Sequence, residues 1–190
     1  MTDTEYTSQF RISYSKYEKI ERKVVDLYVE QDIHTIPIDP FEIIKKRKYT
    51  LIPFSTLSDS VREIIGNENN DAFSFFDKQS NNYVIVYSDD KPLLRLRFTL
   101  MHEIGHIDLG HRSESDLAKR MADYYAGYAL APTPLIYQLI MRDSNDVSQA
   151  FWVSKSCAKV RYDRFIKWLM YSDGEFKDYE NTLLSLFQKL

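Results

Sequence analysis

The stretch RFTLMHEIGHIDLGH, residues 97–111, places three of the chain's four histidines within ten positions, with a glutamate directly after the first. His34 is the only histidine elsewhere. On a helix, residues four apart lie on one face. His102 and His106 can therefore point imidazole nitrogens at one divalent ion, while Glu103 stands beside it to take a proton from water. An ion held by neutral nitrogens remains a strong Lewis acid, able to acidify water and polarise a peptide carbonyl, so hydrolysis is the chemistry this spacing predicts. The competing reading, two histidines filling a core, needs hydrogen-bond partners that an apolar helix does not offer. A zinc protease also needs a third protein ligand and an open fourth position. The metzincin solution fails, because the glycine and histidine of HIDLGH stand at the wrong intervals from His106. The remaining route takes a carboxylate from the next helix.

The elements that must carry this site are legible as periodicities. Leu93, Leu96, Leu100, Ile104 and Ile107 recur at intervals of three or four, predicting a mostly buried helix over about 92–109, closed by Gly110. A second helix over about 114–130 stops at Pro132 and Pro134. Upstream, Tyr17, Ile20, Val24, Leu27 and Tyr28 predict an amphipathic helix over 14–31; Asp39 is placed to cap a short helix beginning at Pro40; 49–53 reads as a strand. Another short helix over 58–65 is ended by Gly66. Two apolar runs, 73–76 and 83–87, flank a polar turn and predict a β-hairpin. Helices over 134–141, 145–151, 154–171 and 175–190 follow. The expected architecture is α+β, a small and mostly antiparallel sheet against a helical majority.

Composition narrows the function classes. A chain of 190 residues with 44% hydrophobic side chains is long enough for one sizeable core. A net charge of −3 and a pI near 5.8 give no electrostatic reason to expect nucleic-acid binding. The single cysteine, Cys157, forms no internal disulfide and reads as an inert buried thiol. The N-terminal MTDTEYTSQFR lacks the layout of a secretory signal, and no apolar run approaches the ~18 residues of a membrane span. The expectation is a cytoplasmic protein with no membrane partner.

The helix RFTLMHEIGHIDLGH, followed about ten residues later by MADYYAGYALAP, resembles the ImmA/IrrE family of metallopeptidases, in which an RFTLAHELGH-like helix precedes an EANxFAxxLLxP-like helix. The N-terminal helix, IPIDPFEIIKKRKYTLIPF, the hairpin, and VSQAFWVSKSCAKVRYDRF extend the similarity over most of the chain; the last ~20 residues are less typical. The resemblance implies a zincin-like domain over 1–172, including helix-turn-helix-like closing helices, with 173–190 as a helical tail. It implies zinc at His102 and His106, Glu103 as general base, and relief of repression by cleavage of a helix-turn-helix repressor on a mobile element or in a stress response. Manganese and iron suit the same ligand letters.

One position departs from the family pattern. Where the glutamate ligand should stand, this chain has Lys119. A charged ammonium has no lone pair to give and repels a dication. Asp116 and Asp123 flank it on the same helical face, and His111 and Glu114 are further candidates. Asp123 is favoured as the third ligand, with a supporting role behind one of the histidines as its alternative. Lys119 leaves room for a second class of function: a pseudoprotease that acts as an antirepressor by binding the repressor without cutting it. The rhythm of DVSQAFWVSKSCAKVRYDRF also suits a helix-turn-helix, but Val160, Phe165, Trp168 and Leu169 ask for a buried face, so packing rather than DNA contact is expected.

Overall fold

The computed structural model describes residues 12–65, 71–113 and 115–188. Gly66 and Glu114, both singled out from the sequence, lie outside them. Helix α1 (Tyr14–Glu30) buries Ile20, Val24, Leu27 and Tyr28 along one stripe, as its period requires. Helix α2 (Pro40–Lys46) starts where the Asp39 carboxylate accepts the Phe41 N–H at 2.9 Å, with Pro40 supplying a preset φ and Lys45 and Lys46 closing the last turn. Strand β1 (Thr50–Pro53) leads through a single 3₁₀ turn, Phe54–Thr56, into α3 (Asp59–Ile65). The hairpin follows as β2 (Ala72–Asp77) and β3 (Asn82–Tyr87). At its turn the Asp77 carboxylate accepts the Gln79 and Ser80 N–H groups, both at 3.1 Å.

The sheet order is β1-β3-β2. Strands β2 and β3 pair antiparallel, with Ser74 opposite Ile85. Strand β1 pairs parallel with β3, Leu51 opposite Ile85. The α+β class is as expected, and the sheet is evenly mixed rather than mostly antiparallel. The chain between β1 and β3 contains α3 and the whole of β2, enough for the crossover that a parallel pair needs.

Helix α4 (Leu93–Asp108) carries the histidine motif and buries Leu96, Leu100, Met101 and Ile104. It packs most extensively on α5 (Asp116–Leu130), whose Ala122, Ala126 and Ala129 keep the facing surface low. The Ser115 hydroxyl caps α5, accepting the Ala118 N–H at 3.1 Å. Gly105 sits at the crossing: a Cβ there would meet the Tyr125 ring at 3.0 Å. A buried arginine and a partly buried aspartate fix the two ends of α4. Near its start, Arg97, 3% exposed, donates to the Ile38 carbonyl at 2.6 Å and the Trp152 carbonyl at 3.2 Å. Near its end, Asp108 accepts hydrogen bonds from Arg47 and from the Tyr125 hydroxyl.

After Pro132 come α6 (Thr133–Gln138), α7 (Ser144–Phe151) and α8 (Lys155–Tyr171). The Asp143 and Ser154 side chains cap α7 and α8, and Trp152 between them takes a left-handed conformation at φ 55°. Both helices and the turn between them stand where the sequence places them, but the buried stripe of α8 is Ala158, Arg161 and Phe165, whereas Val160 and Leu169 are exposed at 55% and 45%. Arg161 takes an inward position because it finds acceptors there: the Ala131 carbonyl and the Thr133 hydroxyl, each at 2.9 Å, and the faces of Tyr124 and Tyr128. Helix α9 (Asp178–Leu186) buries Tyr179 and Leu183, with Phe187 just beyond it, against α1 and α6. Helix α1 is joined to α5 and α9 by phenols: Glu21 accepts from the Tyr124 and Tyr179 hydroxyls, and the Tyr28 hydroxyl donates to the Ala129 carbonyl. No helix among the described residues is long and apolar enough to cross a membrane.

Two outcomes follow from this packing. Gly105→Ala forces a methyl against the Tyr125 ring and lowers stability by about 1–3 kcal/mol in urea unfolding, the range for overpacking a tight contact. Burial pushes the Cys157 thiol up to about 11, with Arg161 opposing the shift only in part. Alkylation at pH 8 should therefore run on the order of a hundred-fold slower on the native protein than on the unfolded chain.

Candidate active site

One turn of α4 brings the two imidazoles of the motif together. The Nε2 atoms of His102 and His106 lie 3.0 Å apart, with ring centroids at 4.7 Å. A tetrahedral ion bonded to both at about 2.0–2.1 Å would hold them at roughly 3.3–3.4 Å, so the rings need part by only a few tenths of an ångström. Two imidazole nitrogens within reach of one ion, on a helix held at both ends, suit a divalent cation.

Each imidazole is supported from its far side. The Nδ1 of His102 lies 2.8 Å from the Asp123 Oδ1 on α5, one turn beyond Lys119. A carboxylate at that nitrogen keeps the proton on Nδ1 and leaves the Nε2 lone pair directed into the cleft. Asp123 thus meets the His102 nitrogen that faces away from His106. The Nδ1 of His106 lies 3.0 Å from the Nδ1 of His111. His111 has its pKa lowered by burial and then by the neighbouring His102.

Glu103 is buried, at 6% exposure, although it is charged in type. The Ser74 hydroxyl donates to its Oε2 at 2.7 Å. Ser74 is a polar residue of β2 set among Phe73, Phe75 and Phe76, and β2 packs against α4. The sequence reading did not reach Ser74. The available signal was a serine interrupting an aromatic strand, which points to no partner until the strand is laid against the helix.

These groups line a cleft of about 1240 Å³, bounded by β2 on one side and by Phe98, Thr99, Arg112 and Lys119 elsewhere. His102, Glu103, His106, His111 and Asp123 all border it, so the structure collects them in one place. Asp116, at the start of α5, is not among the lining residues. Glu114 lies outside the described residues. Among the described residues no group of three or more His, Cys, Asp or Glu side chains converges to hold an ion, so His102 and His106 stand as a pair.

The family model for the IrrE N-terminal-like domain, Peptidase M78, matches residues 58–163, more than half of the 190. The chain belongs to this family of metallopeptidase-like proteins. The matched range runs from α3 to the middle of α8 and so contains both motif helices and the hairpin, while α1, α2, β1 and α9 fall outside it. No curated protein matches the chain.

The bond from Ser74 gives the site its first measurable consequence. Ser74→Ala removes a hydrogen bond to a buried carboxylate and should lower stability by about 1.5–3 kcal/mol, read as a shift in the urea midpoint at unchanged slope.

Proposed function

We propose that this protein is a metal-dependent endopeptidase, with zinc as the first-choice ion and manganese or iron as alternatives, that relieves repression by cutting a helix-turn-helix transcriptional repressor. The observation that carries the peptidase reading is the His102 and His106 Nε2 pair, 3.0 Å apart, with the buried Glu103 carboxylate adjacent on the same helix. The two Nε2 atoms would hold the ion. When bound, it supplies Lewis acidity to water and to the scissile carbonyl.

The rest is the work of the chain's own residues. Asp123 holds the His102 ring in one orientation by accepting from Nδ1. Glu103 receives the proton of the attacking water and passes it to the leaving amine, the general-base and general-acid role for which a carboxylate must be positioned beforehand. Ser74 fixes the rotation of that carboxylate through Oε2. Among the described residues, strand β2 pairs with β3 on one edge only, so its other edge offers backbone donors and acceptors along the cleft wall. An extended peptide could add there as a strand, with the exposed Phe75 and Phe76 giving apolar contact. A helix-turn-helix repressor as the target rests on the resemblance to ImmA/IrrE proteins, and no membrane or direct nucleic-acid contact enters the reading.

A second reading is favoured by Lys119, which lines the cleft where the family pattern has its glutamate ligand. A cation there weakens a dication site by direct repulsion. In that case the protein is a pseudoprotease that antagonises the repressor by occupying its surface. Glu103→Gln separates the two. If the peptidase reading holds, the variant loses repressor cleavage by a factor on the order of 10²–10⁴ while still binding the repressor in a pull-down. Derepression undiminished in the Gln variant would establish the binding mode instead.

A further inference from the structure

We propose that His111 is a positioning residue for His106: it accepts a hydrogen bond from the His106 Nδ1 and so aims the opposite nitrogen at the ion, without ligating the ion itself. The inference rests on the reading of His102 and His106 as a metal pair.

The first support is the direction of the contact. The nitrogens that meet are His106 Nδ1 and His111 Nδ1, at 3.0 Å. The His106 nitrogen that faces His102 is Nε2, also at 3.0 Å. One imidazole thus has both of its nitrogens engaged, on opposite sides of the ring. If Nε2 keeps its lone pair for an ion, the ring proton must be on Nδ1, and the group that takes that proton's hydrogen bond is the Nδ1 of His111. His111 then carries its own proton on Nε2. The arrangement repeats across the site what Asp123 does for His102. Each ring has a dedicated acceptor behind it, a carboxylate on one side and an imidazole on the other.

The second support is how the backbone delivers His111. Helix α4 ends in a turn in which the His111 N–H returns to the His106 carbonyl at 3.0 Å and the Gly110 N–H to the Ile107 carbonyl at 3.1 Å. Gly110 occupies the left-handed conformation this needs, at φ 66°. In such a helix ending, the residue after the glycine lies over the residue five positions back, and the two side chains usually make an apolar contact. Here those positions are His111 and His106, and the apolar contact is replaced by imidazole on imidazole, with centroids 5.0 Å apart. The same turn that stops the helix therefore places the acceptor.

The test uses the full chain and measures ion binding directly, by competition for Zn²⁺ against a chromophoric chelator, for the wild type, His111→Ala and His111→Asn. The absorption of the Co²⁺ form reports coordination. The Asn side-chain oxygen reaches about where Nδ1 stood and can accept the same bond. We expect His111→Ala to bind Zn²⁺ about 10–100-fold more weakly, the usual loss for a partner behind a ligating histidine. His111→Asn should recover most of that loss, and the Co²⁺ spectrum should keep its shape in both variants. Ion-free thermal unfolding close to wild type in His111→Asn excludes a folding defect. Wild-type affinity in His111→Ala overturns the inference while leaving the metal reading in place. A changed Co²⁺ coordination spectrum, or failure of Asn to recover any affinity, makes His111 a direct ligand and also overturns it. A wild-type chain that binds no divalent ion removes the metal reading and this inference together.

Discussion

Two imidazoles one turn apart can share an ion only if the helix that bears them cannot roll or slide, and in this chain that constraint is met by burying charge at both ends of α4. Arg97 near the start reaches two backbone carbonyls from different parts of the chain, Ile38 and Trp152, and stacks over the Trp152 ring. Asp108 near the end gathers Arg47 and Tyr125. Between them Gly105 lets the Tyr125 ring press against the helix backbone. Removing a group from such a buried cluster leaves its partner uncompensated. The turn between α7 and α8 thus contributes a carbonyl and a ring to the histidine helix.

The site is built in layers around that fixed helix. Ser74 approaches Glu103 from the sheet, Asp123 approaches His102 from α5, and His111 approaches His106 from the turn that ends α4 itself. Three different elements therefore determine three side-chain orientations, and each uses a short polar group with little rotational freedom of its own. Lys119 enters the same cleft from α5, one turn before Asp123. Its side chain is exposed. That is the electrostatic difference between this chain and the pattern it otherwise follows.

Most of the elements were legible because their signals are local. The cap at Asp39, the breaks at Pro132 and Gly110, and a three-to-four period through Leu93, Leu96, Leu100 and Ile104 place the start of α2 and the limits of α4 and α5 to within a residue or two, whereas α6 ends three residues before the expected 141 and α9 starts three after the expected 175. Long-range choices were less accessible. The parallel pairing of β1 with β3 depends on where a crossover lands, which no local pattern encodes. The inward face of α8 was misjudged at Val160 and Leu169, because Arg161 counts as polar in any periodicity although its guanidinium finds carbonyl and hydroxyl acceptors inside. At the site, HExxH gave the paired imidazoles and the neighbouring carboxylate, whereas the side of His102 that Asp123 faces and the nitrogen of His106 that His111 meets are matters of rotamer and turn geometry.

The attachment of α1 bears on how this chain can be divided. That helix lies outside the range matched by the family model, yet its Tyr28 reaches the backbone of α5, and its Glu21 collects hydroxyls from α5 and α9. Tyr28, Ile20 and Val24 belong to the same continuous core as Leu100, Tyr125 and Ala129. The portion recognisable by kinship therefore shares its core with a helix outside it. An excision confined to 58–163 would lay bare the inner surface of α5, so the flanking helices are as much a condition of the cleft as the motif it contains.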